Sequence, residues 1–285
     1  MLFNNIEYQK EYDRLTTEYP DMDGLQSPLI NISDALKAYF ALADYFTDAS
    51  SNSEIETMLV NVRSIDLLCS ALGRQVSSFD GHIKYSAPIE VCSTLFYGMV
   101  KNHSFSDGNK RTALLILLYQ LNLYNFLPMC RVTDFEKLVV SVAANCLDKD
   151  YAHVWKKFRK QDDPEILTIS YLLRRMTKKK DHSFHIKITM KDMVSALEKF
   201  NVKCTPDNGK IHFERYSRRY FTTCKYTATF GGWTRSVGPQ TAREILENLK
   251  LYDQFPNYQS FIDGQDLYYN LIEDFEIPLR RLKDE

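Results

Sequence analysis

The chain has 285 residues, with Lys plus Arg 36 against Asp plus Glu 37, so its formal net charge of −1 gives it no global field for coating a polyanion or an acidic membrane. Hydrophobic residues at 44% and aromatics at 13% exclude a disordered chain, and Gly 10 with Pro 9 exclude low-complexity and collagen-like architectures. The length suits one large or two ordinary domains. Residues 1–28 are polar and helix-compatible until Tyr19-Pro20 and Ser27-Pro28 interrupt them. Ser33 reads as an N-cap for a helix through Phe46, whose Leu36, Phe40 and Ala43 share one face. Tyr39, Phe40, Tyr45 and Phe46 belong to its core stripe. A second helix is expected over Ile55–Leu72, stopping at Gly73. The run Phe79–Tyr85 holds an Asp80-Gly81 turn between short alternating stretches, as in a small hairpin.

Pro88 opens the next helix, through Val100, and further helices are expected over residues 109–126 and 134–147. Composition turns polar at Gln161–Pro164. A helix over Glu165–Arg175 then leads into the basic stretch Lys178–His182, which reads as a solvated helix end. Beyond it the pattern changes: a helix over Met190–Phe200, strands over Lys210–Arg215 and Thr222–Phe230, a helix over Thr241–Lys250, and a helical tail over Phe261–Leu282 interrupted by Pro278. The domain reading is therefore 1–160, helical with an N-terminal extension 1–30; 161–182, a linker helix; and 183–285, an α+β domain with a helical tail. Six cysteines at long, irregular spacing, without a CxxC pair, read as reduced thiols and disfavour a structural zinc site. The N-terminus lacks the pattern of a signal peptide and the longest apolar block, Ala113–Leu118, is too short for a membrane span, so a cytoplasmic protein without membrane partners is expected.

The chemistry concentrates in His103-Ser-Phe-Ser-Asp-Gly-Asn-Lys-Arg111, a polar loop between two apolar helices. Gly108 permits positive φ and Asn109 tolerates unusual backbone geometry. A helix starting there points its N–H groups and its positive end at the loop, which suits an anion. Arg111 adds a bidentate donor for phosphate and Lys110 a point charge. Asp107 supplies a hard oxygen for Mg²⁺, and His103 can take a proton from a hydroxyl nucleophile. Phe105 is expected to turn into the core. These are the parts that phosphoryl-type transfer needs. GxGxxG and GxxxxGK[ST] are both missing, which disfavours a Rossmann or P-loop site.

The segment resembles the Fic/Doc (death-on-curing) signature H-x-F-x-D/E-G-N-G/K-R at His103, Phe105, Asp107, Gly108, Asn109, Lys110 and Arg111. The resemblance covers about residues 30–155 and implies a bundle of some six to eight helices, with the motif at the start of a buried central helix. It also implies that Gly81, His82, Ile83, Lys84 and Tyr85 form a flap that docks a target segment by strand addition. The fold class is thus mostly α, a Fic-like helical bundle with a small β-hairpin flap, plus a smaller α+β C-terminal domain.

The resemblance implies a transferase that uses ATP and Mg²⁺ to modify a Ser, Thr or Tyr hydroxyl of a protein substrate. Lys110 matches the Doc branch, which transfers phosphate, whereas Gly108 keeps the pattern of the AMP-transferring branch, where Doc has Ala. Phosphate transfer is slightly preferred, AMP transfer is the close alternative, and a non-catalytic binding module is the rival of another class. The family's inhibitory pattern S/T-x-x-x-E-G/N is not matched, since Arg243 stands four residues before Glu247-Asn248, which leaves regulation to a separate antitoxin or to none. In the C-terminal part the order helix, strands, helix is similar to the double-stranded-RNA-binding-like fold of HicA-type toxins, with His212 read as a structural or solvent-facing strand residue. Arg215, Arg218, Arg219, Lys225 and Arg235 interleave with Tyr216, Tyr220, Phe221 and Trp233. Such a pattern could hold nucleic acid, but an ordinary sheet with charged rims is the favoured reading. His153 and His185 read as structural, and His82 as a solvent-exposed turn residue.

Overall fold

The computed structural model describes residues 2–49, 58, 60–179, 188–217, 222–251 and 267–282. The chain forms two compact units, Met1–Lys180 with Tyr268–Glu285, and Asp181–Leu267.

In the first unit, α1 (Ile6–Glu18) is capped by the Asn5 side chain, which accepts from the Glu7 amide at 2.9 Å. Next come α2 (Ile32–Ala49), α3 (Ile65–Gly73), the hairpin β1 (Ser78–Phe79) and β2 (His82–Ile83), α4 (Pro88–Lys101) and α5 (Asn109–Leu123). They are followed by β3 (Phe126–Pro128), α6 (Val132–Ala143), α7 (Leu147–Asp150), α8 (Ala152–Phe158), α9 (Pro164–Met176) and β4 (Thr177–Lys179). Helix α5 is apolar on all sides and buried continuously from Arg111 to Leu121, the pattern of a helix enclosed by others. It packs on α2, α4 and α6, and α4 in turn packs on α9. A buried polar chain ties its C-terminal half in place: Gln120 Nε2 donates to Gln75 Oε1 at 2.7 Å, and Gln75 bonds both backbone groups of Ile30 at 2.9 Å. Both polar ends of the Gln75 amide are thereby matched, as burial requires, while Gln120 is held through its Nε2 alone.

In the second unit, β5 (Ile188–Thr189) pairs with β9 (Ser236–Val237), and β6 (Lys203–Asp207), β7 (Lys210–Ser217) and β8 (Thr222–Thr229) form an antiparallel sheet in that order. Along β7 and β8 the inner residues Ile211, Phe213, Cys224 and Ala228 are buried, while His212, Glu214 and Lys225 face outward. Helices α10 (Met190–Glu198) and α11 (Pro239–Asn248) cover the inner face through Met193, Leu197, Ile245 and Leu246. A capping box holds the start of α10, with Thr189 and Asp192 bonding reciprocally.

The mostly helical class with a small α+β region is what the structure shows. Several details differ from expectation. Helix α2 starts at Ile32, and Ser33 instead bonds Asp21. Residues 60–64 are extended rather than helical, because their backbone pairs with the His103–Arg111 loop; Ile55, Glu56 and Thr57 lie outside the described residues. Strand β3 takes Phe126 out of the preceding helix by pairing with β4, so Lys178 and Lys179 are strand residues. Strand β6 went unread, its alternation broken by Pro206. Helix α9 packs on α4 within the first unit rather than linking domains. Of the tail, α12 (Leu267–Asp274) and α13 (Glu276–Arg281) break at Phe275 rather than at Pro278, which sits in the first turn of α13 where its missing N–H costs nothing. From Tyr268 onward they belong to the helical unit: Tyr268 stacks on Tyr119 at 4.3 Å and Phe275 meets Phe135 edge-on. His153 is exposed on α8, while His185, Arg218, Arg219, Tyr220 and Phe221 lie outside the described residues. All six cysteines are free. Among the described residues no helix is long and apolar enough to cross a membrane.

Candidate active site

The loop from His103 to Gly108 runs from the end of α4 to the start of α5. Lys101 secures its beginning: its Nζ donates to the Val142 and Ala143 carbonyls at 3.2 Å, and burial lowers its pKa. Asn102 closes α4 and donates from Nδ2 to the Leu67 carbonyl at 2.9 Å. His103 follows with φ +49, a left-handed conformation that glycine usually fills after a helix, and its side chain is exposed.

The middle of the loop is held as a short β ladder. The Ser104 carbonyl accepts from the Arg63 and Ser64 amides at 2.9 and 3.1 Å, and the Ser106 amide donates to the Asn61 carbonyl at 3.0 Å. Phe105 turns inward as expected and is 1% exposed. Its ring stacks on Tyr39 at 4.0 Å and 11°. The Tyr39 hydroxyl accepts from the Asn61 amide at 2.9 Å and donates to the Asn61 carbonyl at 3.3 Å, and burial pushes this phenol well above its ordinary value. Tyr39 is thus both core stripe and loop support.

At the far end Gly108 is the N-cap of α5 with φ +80. The backbone conformation calls for glycine, and a Cβ there would lie 2.7 Å from Met58 Sδ, so the methionine side chain would have to move. Asn109 turns its side chain back: Oδ1 accepts from the Phe105 amide at 2.9 Å and Nδ2 donates to the Phe105 carbonyl at 2.7 Å. Its amide therefore closes the loop, and what it offers an anion is its backbone at the helix start. Lys110 is half-buried on the first turn. Arg111 is buried, donates from Nη2 to Asp107 Oδ1 at 3.0 Å and stands 5.9 Å from the Phe46 ring centre. Its Nε is fully buried with no hydrogen-bond partner among the described residues. A buried guanidinium donor left unmatched carries a desolvation cost, which an anion drawn to it would relieve.

His103, Asp107 and Gly108 thus lie on one hydrogen-bonded loop that runs into Asn109, Lys110 and Arg111 on the first turn of α5. The flap residues sit on a separate element. Asp80 and Gly81 both take positive φ, +50 and +75, the turn geometry that an Asp-Gly hairpin needs. Ser78 pairs with Ile83 and Phe79 with His82, leaving His82 and Ile83 exposed. Tyr85 is buried. Asp163 at the head of α9 accepts from the Tyr85 hydroxyl and pairs with Lys84. Burial pushes the Asp163 carboxyl up, but the bonds from Lys84 and Tyr85 outweigh it and hold its pKa below the usual value. The sequence carried no sign of Asp163, Asn61 or Met58 as parts of this assembly, since each reaches it only through the fold.

A glycine-opened helix start, an inward arginine with an unmatched donor and an exposed histidine thus lie on one loop. Residues 25–121 match the family model described as Fic/DOC family, a match that lies wholly within the helical unit. The family comprises transferases that modify proteins with ATP, typically with a divalent metal. No curated protein and no solved structure matches the chain.

Proposed function

We propose that the helical unit transfers a phosphate-containing group from ATP to a Ser, Thr or Tyr hydroxyl of a protein target, with phosphate slightly preferred over AMP. The observation that carries this reading is the buried Arg111 in the first turn of α5, which bonds Asp107 through Nη2 and keeps its Nε unmatched among the described residues. The backbone at Gly108 and Asn109, with Arg111 and Lys110, binds phosphate oxygens; Lys110 sets which phosphate faces the acceptor. Among the described residues no group of three or more His, Cys, Asp or Glu is assembled for a metal, so a cation here needs phosphate oxygens as well as protein ligands. Asp107 fits Mg²⁺ in that arrangement, one carboxylate plus substrate phosphates. Mg²⁺ when bound supplies charge neutralisation on those oxygens. His103 takes the proton from the acceptor hydroxyl, and Arg111 stabilises the charge that develops on the transferred group. The exposed strand edge at His82–Ile83, rooted by Lys84 and Tyr85, aligns the target segment.

Transfer is tested in a lysate with α-³²P and γ-³²P ATP, wild type beside His103→Ala. Label from the γ position alone means phosphate transfer and label from the α position means AMP transfer. If neither label appears on any protein in a His103-dependent way, the enzymatic reading is lost and the binding module takes its place.

A further inference from the structure

Helix α13 brings a second guanidinium to the ring that Arg111 approaches. The Tyr268 hydroxyl donates to the Asp34 carbonyl at 3.1 Å and the Tyr269 hydroxyl to Asp44 Oδ2 at 2.5 Å, both on α2. With the Phe275–Phe135 contact, these bonds fix α12 and α13 against the helical unit. Arg280 on α13 then stands 5.5 Å from the centre of the Phe46 ring, the same ring that Arg111 approaches at 5.9 Å. Two cations beside one side chain would ordinarily repel. An aromatic ring carries negative charge density on its faces, and a shared ring lets both stay.

The two arginines are prepared differently. Arg280 donates from Nε and Nη2 to Glu276 Oε1 at 2.8 and 2.6 Å, so its own helix sets its direction, and its side chain remains 32% exposed. Arg111 is enclosed and keeps a donor unmatched among the described residues. Arg111 pairs with Asp107 and Arg280 with Glu276, and Arg111 lies in the first turn of α5, at that helix's positive end. A ligand with several adjacent negative charges can engage two guanidiniums gathered at one ring, where a single carboxylate engages one.

We infer that Arg280 is a second phosphate-binding residue of this site and engages the nucleotide polyphosphate together with Arg111. The inference rests on the proposed function. It adds a residue outside the His103–Arg111 segment and outside the 25–121 match.

Calorimetric titration of the full chain with Mg·ATP, inorganic tripolyphosphate and adenosine tests it. Arg280→Gln and Arg280→Met are used together, since the methionine keeps an unbranched stem against Phe46 if the glutamine variant folds poorly. Arg111→Ala is the control. Each Arg280 variant is expected to bind Mg·ATP and tripolyphosphate about tenfold or more weakly, the loss of one charge-assisted contact, with adenosine affinity unchanged. If both ligands bind the Arg280 variants as they bind wild type while Arg111→Ala loses them, the role of Arg280 is overturned and the proposed function stands. A lowered melting temperature with unchanged nucleotide affinity overturns it too, by showing that Arg280 only docks α13. If wild type binds neither Mg·ATP nor tripolyphosphate, the proposed function itself fails.

Discussion

His103 offers a test in which stability and activity move in opposite directions. It follows the last turn of α4 at φ +49, and its side chain is exposed. A side chain in the left-handed region costs about 1–2 kcal/mol, because Cβ crowds the neighbouring carbonyl. Replacing it with glycine removes that crowding and gives back about 0.5–1 kcal/mol through the wider freedom of glycine in the unfolded chain. His103→Gly is therefore expected to be more stable than His103→Ala by roughly 0.5–1 kcal/mol, since alanine keeps the Cβ and the strain. For a unit of this size that is about 1–4 °C in melting temperature. Thermal unfolding followed by helical circular dichroism reads the difference, and the ATP-label assay is expected to find both variants inactive. A glycine variant that melts below the alanine variant would refute the strain at this position. One that melts higher and still transfers label would remove His103 as the base.

Asn109→Ala leaves the buried amide and carbonyl of Phe105 without their partners, at about 1–3 kcal/mol each. Urea denaturation is expected to show a total loss of about 2–5 kcal/mol, and a loss below 1 kcal/mol would mean the loop does not depend on that amide. Gly108→Ala places a Cβ 2.7 Å from Met58 Sδ on a backbone at φ +80, and is expected to destabilise by about 2–4 kcal/mol. Part of that cost disappears in a Met58→Ala background, and strict additivity in the double-mutant cycle would show that the two residues do not meet. Asp163 has a pKa held below its ordinary value, so its stabilising contribution is present above the unfolded value of ~3.9 and is lost as pH falls through the folded one. In acid titrations wild type should lose its excess stability over Asp163→Asn in that window, and parallel curves down to pH 2 would contradict the tie between Asp163, Lys84 and Tyr85.

The parts of this molecule legible in its residues were those decided locally. Asp80-Gly81 named its own turn, because two successive positive-φ positions admit few other residues. Pro88 marked a helix start, and the apolar run from Ala113 marked the buried helix. Gly108 was read as an opened helix N-terminus and is one, but the sequence could not show that Met58 closes over it. The stretch before Ser64 looked helical by composition. Its backbone is spent instead on the His103–Arg111 loop, a long-range pairing that no local pattern encodes. Asn109 read as an anion ligand because of its place beside Gly108, yet its side chain goes to Phe105, four residues back. The tail read as an appendage of the C-terminal domain because Leu267 to Arg281 follow it in the chain. The aromatic contacts to Tyr119 and Phe135 that assign it to the helical unit span well over a hundred residues.

That return of the tail sets an order of assembly. The helical unit is interrupted between Lys180 and Tyr268 by the whole α+β unit. During synthesis the segment up to Lys180 leaves the ribosome without the helices that cover Tyr119 and Phe135, and must wait for the intervening residues before those faces can close. Closing them late adds contacts of high sequence separation, which slow folding. A ribosome that stalls within the α+β unit would release a chain that has His103 and Arg111 but not Arg280. Both guanidiniums can meet at Phe46 only after the α+β unit and the helices that follow it have been made.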